Sequence, residues 1–95
     1  MRVRHILVEQ KFEAEDLLRK LEGLTGSALD SRFQELAQRF SQCSSGRNGG
    51  DLGELGRDLH RLDERFKDAL MALHPGELSS PVRSNFGHHL ILRID

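Results

Sequence analysis

No stretch of this 95-residue chain approaches the roughly 20 consecutive apolar residues of a bilayer-spanning helix, so a membrane protein is not expected. A single cysteine, Cys43, rules out an internal disulfide, as suits a reducing compartment. Fourteen basic residues against fifteen acidic ones leave a net charge of -1, with no run of five or more like charges. The electrostatic footprint of a nucleic-acid partner is therefore missing. No repeat and no low-complexity tract occurs. There is no H-x-x-x-H or C-x-x-C spacing, and the adjacent His88 and His89 would point to opposite faces of a strand, so no metal is expected. GRNGG lacks the order of a phosphate loop and leads into a strand rather than a helix. Strand-like sequence begins at Val3 and leaves no room for a signal peptide, which predicts a cytoplasmic protein, or a periplasmic or secreted one only if the chain is cut from a longer protein.

The apolar set of 37% rises to about 46% with the nine glycines, as in ordinary globular domains. The length suits one domain, residues 1–95, with a single core. Val3 to Glu9 is branched and apolar on both parities, Val3, His5 and Leu7 on one face and Ile6 and Val8 on the other, the pattern of a strand covered on both sides. Ala14, Leu17, Leu18 and Leu21 then follow a helical period that ends at Gly23. Ser27 and Asp30 have the spacing of a capping box, and Phe33, Leu36, Ala37 and Phe40 carry a second helix to about Ser41.

CSSGRNGGD is a loop with positions needing positive φ, and Asp51 to Leu55 is weakly strand-like. Leu62, Phe66, Ala69, Leu70 and Leu73 make a third apolar stripe, stopped by Pro75-Gly76. Leu78 to Arg83 reads as an edge strand, and His88 to Ile94 as the last strand. The order is an α+β fold, helices covering both faces of a sheet that pairs the two chain ends. His5 and His89 then project to the same side.

A histidine at a strand start is more often structural than catalytic, and His60, His74 and His88 are read that way. For His5 and His89 the motif context reverses the reading. RHILV, FSQCSSGRNGGDLGEL and HPGELSSPVRSNFGHHLILRI occur here in one order over nearly the full length. In this the chain resembles the parvulin-type peptidyl-prolyl cis/trans isomerases. The resemblance implies a mostly antiparallel four-stranded sheet flanked by about four helices, in the order β-α-α-(α)-β-α-β-β.

It also implies an isomerase of unphosphorylated X-Pro bonds, working without a cofactor, as a monomer, on proline-containing peptides or unfolded protein clients. His5 and His89 match the family's paired histidines, Cys43 the Cys or Asp beside them, and Ser84 the hydroxyl that bonds the pair. Leu52, Leu62 and Phe66 match the proline pocket, with Leu59 as the alternative to Leu62, and Phe86 matches the same cleft. GRDLHRLD, Gly56 to Asp63, departs from the family's usual segment before the pocket helix. VEQKFEAED, with one lysine among four acids, replaces the basic cluster of phosphate-reading members. The rival is a peptide-binding or chaperone module on the same fold with little activity.

Overall fold

The computed structural model describes residues 1–56, 59 and 61–95. His60 and part of the departing GRDLHRLD segment lie outside the described residues.

Four strands, β1 (Arg2–Val8), β2 (Asp51–Glu54), β3 (Val82–Ser84) and β4 (Gly87–Arg93), form an antiparallel sheet in the order β2-β1-β4-β3. The chain ends meet at its centre, Val3 opposite Arg93 and Val8 opposite His88. β1 and β4 are the two strands apolar on both parities, and they take the two positions with neighbours on either side.

On one face, Ile6, Val8, Leu90 and Leu92 pack under α1 (Lys11–Leu21) and α2 (Gly26–Phe40), which contribute Ala14, Leu17, Leu21, Leu29, Phe33, Leu36 and Ala37. Each large apolar side chain buried there contributes about 1.5–3 kcal/mol. On the other face, Val3 and Ile91 meet Leu55, Phe66 and Leu70 beneath α3 (Glu64–Met71). That helix has only eight residues, about 12 Å at the usual rise, against strands of seven residues that run about 23 Å. It cannot roof the whole face. The part beyond its roof holds His5, Leu7 and His89, which line a cleft beside Phe66.

Several boundaries differ from the sequence reading for identifiable reasons. Thr25, not Ser27, sits at the N-cap of α2, because the Asp30 carboxylate is taken by Arg4 Nε at 2.7 Å and by Gln34 Nε2 at 2.9 Å. The third stripe is helical only over Glu64–Met71, since Asp63 caps it and leaves Leu62 in the preceding turn. Of Leu78 to Arg83 only the end is ladder: Leu78 makes an isolated bridge to Leu92, and Pro81, with no N–H to donate, separates it from β3. The helix expected between α2 and β2 is a 3₁₀ segment, Ser44–Asn48, inside the glycine loop. Gly49 and Gly50 close that loop at φ values of 67° and 83°.

Candidate active site

The glycine loop reaches the sheet at His5. The His5 N–H donates to Gly50 O at 2.9 Å. Gly50 approaches so closely that a Cβ there would lie 2.4 Å from the His5 carbonyl oxygen. The loop thereby lays Cys43 and Ser45 beside the His5 ring.

From there a line of hydrogen bonds crosses the sheet. Ser45 Oγ donates to Cys43 Sγ at 3.3 Å and stands 3.1 Å from His5 Nε2. In this polarity a hydroxyl that gives its one proton to sulfur accepts from the ring, and His5 carries its proton on Nε2. Its Nδ1 is then the acceptor for His89 Nδ1–H, 3.1 Å away. His89 Nε2 accepts from the Ser84 hydroxyl at 2.5 Å, and Ser84 Oγ accepts from Phe86 N–H at 3.1 Å. The opposite polarity, with the Cys43 thiol donating, satisfies the same chain, every proton moved by one link. Among the described residues no buried side-chain nitrogen or oxygen lacks a partner.

Both rings are buried, His5 at 5% and His89 at 4% exposure. Desolvation pushes His5 down to about 4, with repulsion from His89 adding to it. His89 is also pushed down to about 4 by desolvation, against an upward pull from Asp63 and with His88 lowering it further. The pair is neutral at pH 7. Phe66, 4% exposed, stands edge-on to both rings, with centroids 5.5 Å from His5 and 5.0 Å from His89.

Above this layer opens a cleft of about 260 Å³. Leu7, Leu52, Leu62 and Phe66 give it apolar walls, and His5, His89 and Cys43 supply its polar side. Phe86 stands at its mouth, 73% exposed. Seven of the eight residues singled out in the sequence line the cleft. The eighth, Ser84, is buried behind His89. Leu62 rather than Leu59 is in the lining, while Leu59 packs against the smaller core. His88 turns to the other side, its Nδ1 3.0 Å from Glu9 O.

Sequence reasoning missed Leu7, Ser45, Arg61 and Asp63. Ser45 lay in plain view within CSSG, but the link between cysteine and histidine exists only in three dimensions. Partial burial works to raise the Asp63 carboxyl, yet N–H donors from Arg65, Asn85 and Phe66 and the Arg65 charge outweigh it and hold the carboxyl below the ordinary range. Among the described residues no group of three or more His, Cys, Asp or Glu side chains is placed to hold a metal ion.

The family described as "Rotamase: PPIC-type PPIASE domain" matches residues 5–95. The chain is 42% identical over 87 residues to peptidyl-prolyl cis-trans isomerase pin1 of Schizosaccharomyces pombe, covering 92% of this chain and 48% of that protein. It is 36% identical over 95 residues to the foldase protein PrsA of Bacillus subtilis, covering 100% of this chain and 30% of the relative. A solved structure from Campylobacter jejuni, from work describing the virulence factor PEB4 and the periplasmic protein Cj1289 as SurA-like chaperones, superposes with a TM-score of 0.93. It is 38% identical, over 99% of this chain and 37% of its own. The chain thus spans between about a third and a half of these relatives. They lend no support to a cytoplasmic location, since one of the two SurA-like chaperones of that work, Cj1289, is described as periplasmic. With the family matched over residues 5–95 and the parvulin fold shared with these structures, the chain belongs to the PpiC-type, or parvulin-type, peptidyl-prolyl cis/trans isomerases.

Proposed function

We propose that residues 1–95 act as one isomerase domain that speeds cis/trans exchange of unphosphorylated X-Pro bonds in peptides and unfolded protein clients. The observation that carries this reading is the pairing of an apolar cleft with a neutral, hydrogen-bonded histidine pair at its base. An X-Pro bond isomerises over tens to hundreds of seconds, against a barrier of about 18–20 kcal/mol that reflects lost amide resonance. No bond to the substrate need form or break. The twisted amide carries less charge on its carbonyl oxygen than the planar one, so an apolar, poorly hydrated site disfavours the ground state relative to the transition state.

In this mechanism Leu52, Leu62 and Phe66 hold the pyrrolidine ring, and Phe86 covers the flanking residue at the mouth. His5, His89 and Ser84 keep the cleft in shape and set the polarity of Cys43. Cys43 has an electrostatic or hydrogen-bonding task beside the carbonyl rather than that of a nucleophile. Each 1.4 kcal/mol or so of differential stabilisation is worth tenfold in rate, so several such increments suffice. Unphosphorylated substrates are favoured because VEQKFEAED after β1 brings four acids and one lysine.

The test is exchange spectroscopy on a panel of X-Pro peptides with and without the domain. Enhanced exchange for some X is expected, and the fastest X gives the preference. No enhancement for any X would leave the second reading, a peptide-binding chaperone module, which the PrsA foldase and the SurA-like relatives favour.

A further inference from the structure

Asp63 serves two walls of the cleft at once. Its Oδ1 caps α3, accepting from Arg65 N at 2.9 Å and Phe66 N at 3.4 Å. Its Oδ2 reaches across the cleft's end to Asn85 N at 3.4 Å, 22 residues further along the chain. Arg65, one residue into the same helix from Glu64, returns the contact through Nη2 to Asn85 Oδ1 at 3.0 Å. Asn85 is therefore gripped at its backbone and its side chain by the first turn of α3.

What Asn85 separates gives this grip its meaning. Ser84 on one side bonds His89, and Phe86 on the other stands at the cleft mouth. Phe66, whose N–H shares the Asp63 carboxylate, is the cleft floor. One carboxylate, 11% exposed, thus joins the floor to the turn that carries the opposite wall. A helix cap needs only one oxygen, and the second oxygen is what spans the gap.

We propose that Asp63 is a positioning residue that fixes the width of the proline cleft by tying the start of α3 to the Ser84–Phe86 turn; that a proline peptide fills the cleft rests on the function proposed above. The competing account is that Asp63 caps the helix and does nothing else. Asp63→Ser separates the two, since serine caps about as well as aspartate but has no second oxygen to reach Asn85.

The experiment is a nuclear magnetic resonance titration of wild type and variants with a short Leu-Pro peptide, alongside thermal unfolding and exchange spectroscopy. For Asp63→Ser the midpoint of unfolding should stay near wild type while the Asn85 and Phe86 amide resonances shift. Loss of one hydrogen bond across the gap should weaken peptide binding about three- to tenfold, chiefly in KM, with kcat less affected. Arg65→Met cuts the second tie and the 3.7 Å ion pair from Arg65 Nε to Asp63 Oδ1 but keeps the backbone N–H that the cap uses, and should move the same amides and weaken the same peptide. Unchanged amides and affinity in both variants would overturn the proposal, as would a loss of stability with no change in affinity. A wild-type domain that binds the peptide without speeding exchange would defeat the isomerase reading, and the affinities would still decide the role of Asp63. A wild type that binds no proline peptide would overturn both.

Discussion

His5 and His89 touch although the sheet register does not pair them. In the antiparallel ladder His5 faces Ile91 and Leu7 faces His89, so the imidazoles are diagonal neighbours. They meet because the rings lean toward each other across the strand gap, Nδ1 to Nδ1 at 3.1 Å with planes 20° apart. One proton fits between the two facing nitrogens. A second, charging the pair, would break the bond and leave a cation in a dry site.

Acidification should therefore destabilise the domain. The folded His5 takes a proton only near pH 4, whereas an unfolded histidine does so near 6.5, so the unfolded chain binds more protons between these values. The stability is fully present above about pH 6.5 and is lost as pH falls through about 4. For His5 the shift from 6.5 to about 4 amounts to roughly 3 kcal/mol. Thermal unfolding from pH 7.5 to 4 should show this decline, and a His5→Asn/His89→Asn double variant should show a flatter one. Equal slopes between pH 6.5 and 5 would contradict the assignment.

Adjacent histidines should respond unequally. His89→Ala removes the centre of the hydrogen-bonded line and strands the buried Ser84 hydroxyl and His5 Nδ1, at about 1–3 kcal/mol for each unsatisfied group. His88→Ala loses one contact to the Glu9 carbonyl at the surface. X-Pro exchange and chemical denaturation should both show His89→Ala far below His88→Ala. Similar losses in the two would refute the separation of roles.

How much of this was legible in the sequence depended on whether the signal was local. Branched residues on both parities marked β1 as central, and the i, i+3, i+4 stripes marked the three helices, because both patterns report burial by nearby elements. The limits of α3 and the short β3 were set by Asp63 and Pro81, single residues whose effect needed no periodicity. The histidine pair was reached through motif order, since nothing local says that residues 84 apart will meet. Ser45, Leu7 and Asp63 escaped for the same reason: serine in a loop, leucine in a strand and aspartate before a helix each have an ordinary local explanation.

Cys43 and Ser45 should separate nucleophilic from electrostatic catalysis. If the site works by hydrogen bonding and charge, Cys43→Asp retains much of the isomerase rate, because a carboxylate still accepts from Ser45 Oγ. Complete loss in exchange spectroscopy would point to sulfur chemistry instead. Ser45→Ala breaks the link between Cys43 and His5 while leaving Phe66 and the leucines in place. It should lower kcat about three- to tenfold, the worth of one hydrogen bond in the transition state.

Gly50 tests whether the loop's close approach to His5 is needed, and a matched control is available in Gly23. Both glycines have positive φ, 83° and 79°, so alanine at either strains the backbone, by about 1–2 kcal/mol. They differ in what the new Cβ meets. At Gly23, in the turn between α1 and α2, nothing lies within 4 Å. At Gly50 the Cβ would stand 2.4 Å from His5 O and 3.2 Å from His5 N, backbone atoms of the central strand that cannot swing aside. Relief requires the loop to lift, which lengthens the bond from His5 N–H to Gly50 O and draws Cys43 and Ser45 away from the ring. Gly50→Ala should thus cost roughly 2 kcal/mol more than Gly23→Ala in urea unfolding. It should also depress kcat/KM for an X-Pro peptide, while Gly23→Ala leaves turnover near wild type. Equal stability losses, or full activity in Gly50→Ala, would mean that the loop can hold Cys43 and Ser45 against His5 from further away than the structure places it.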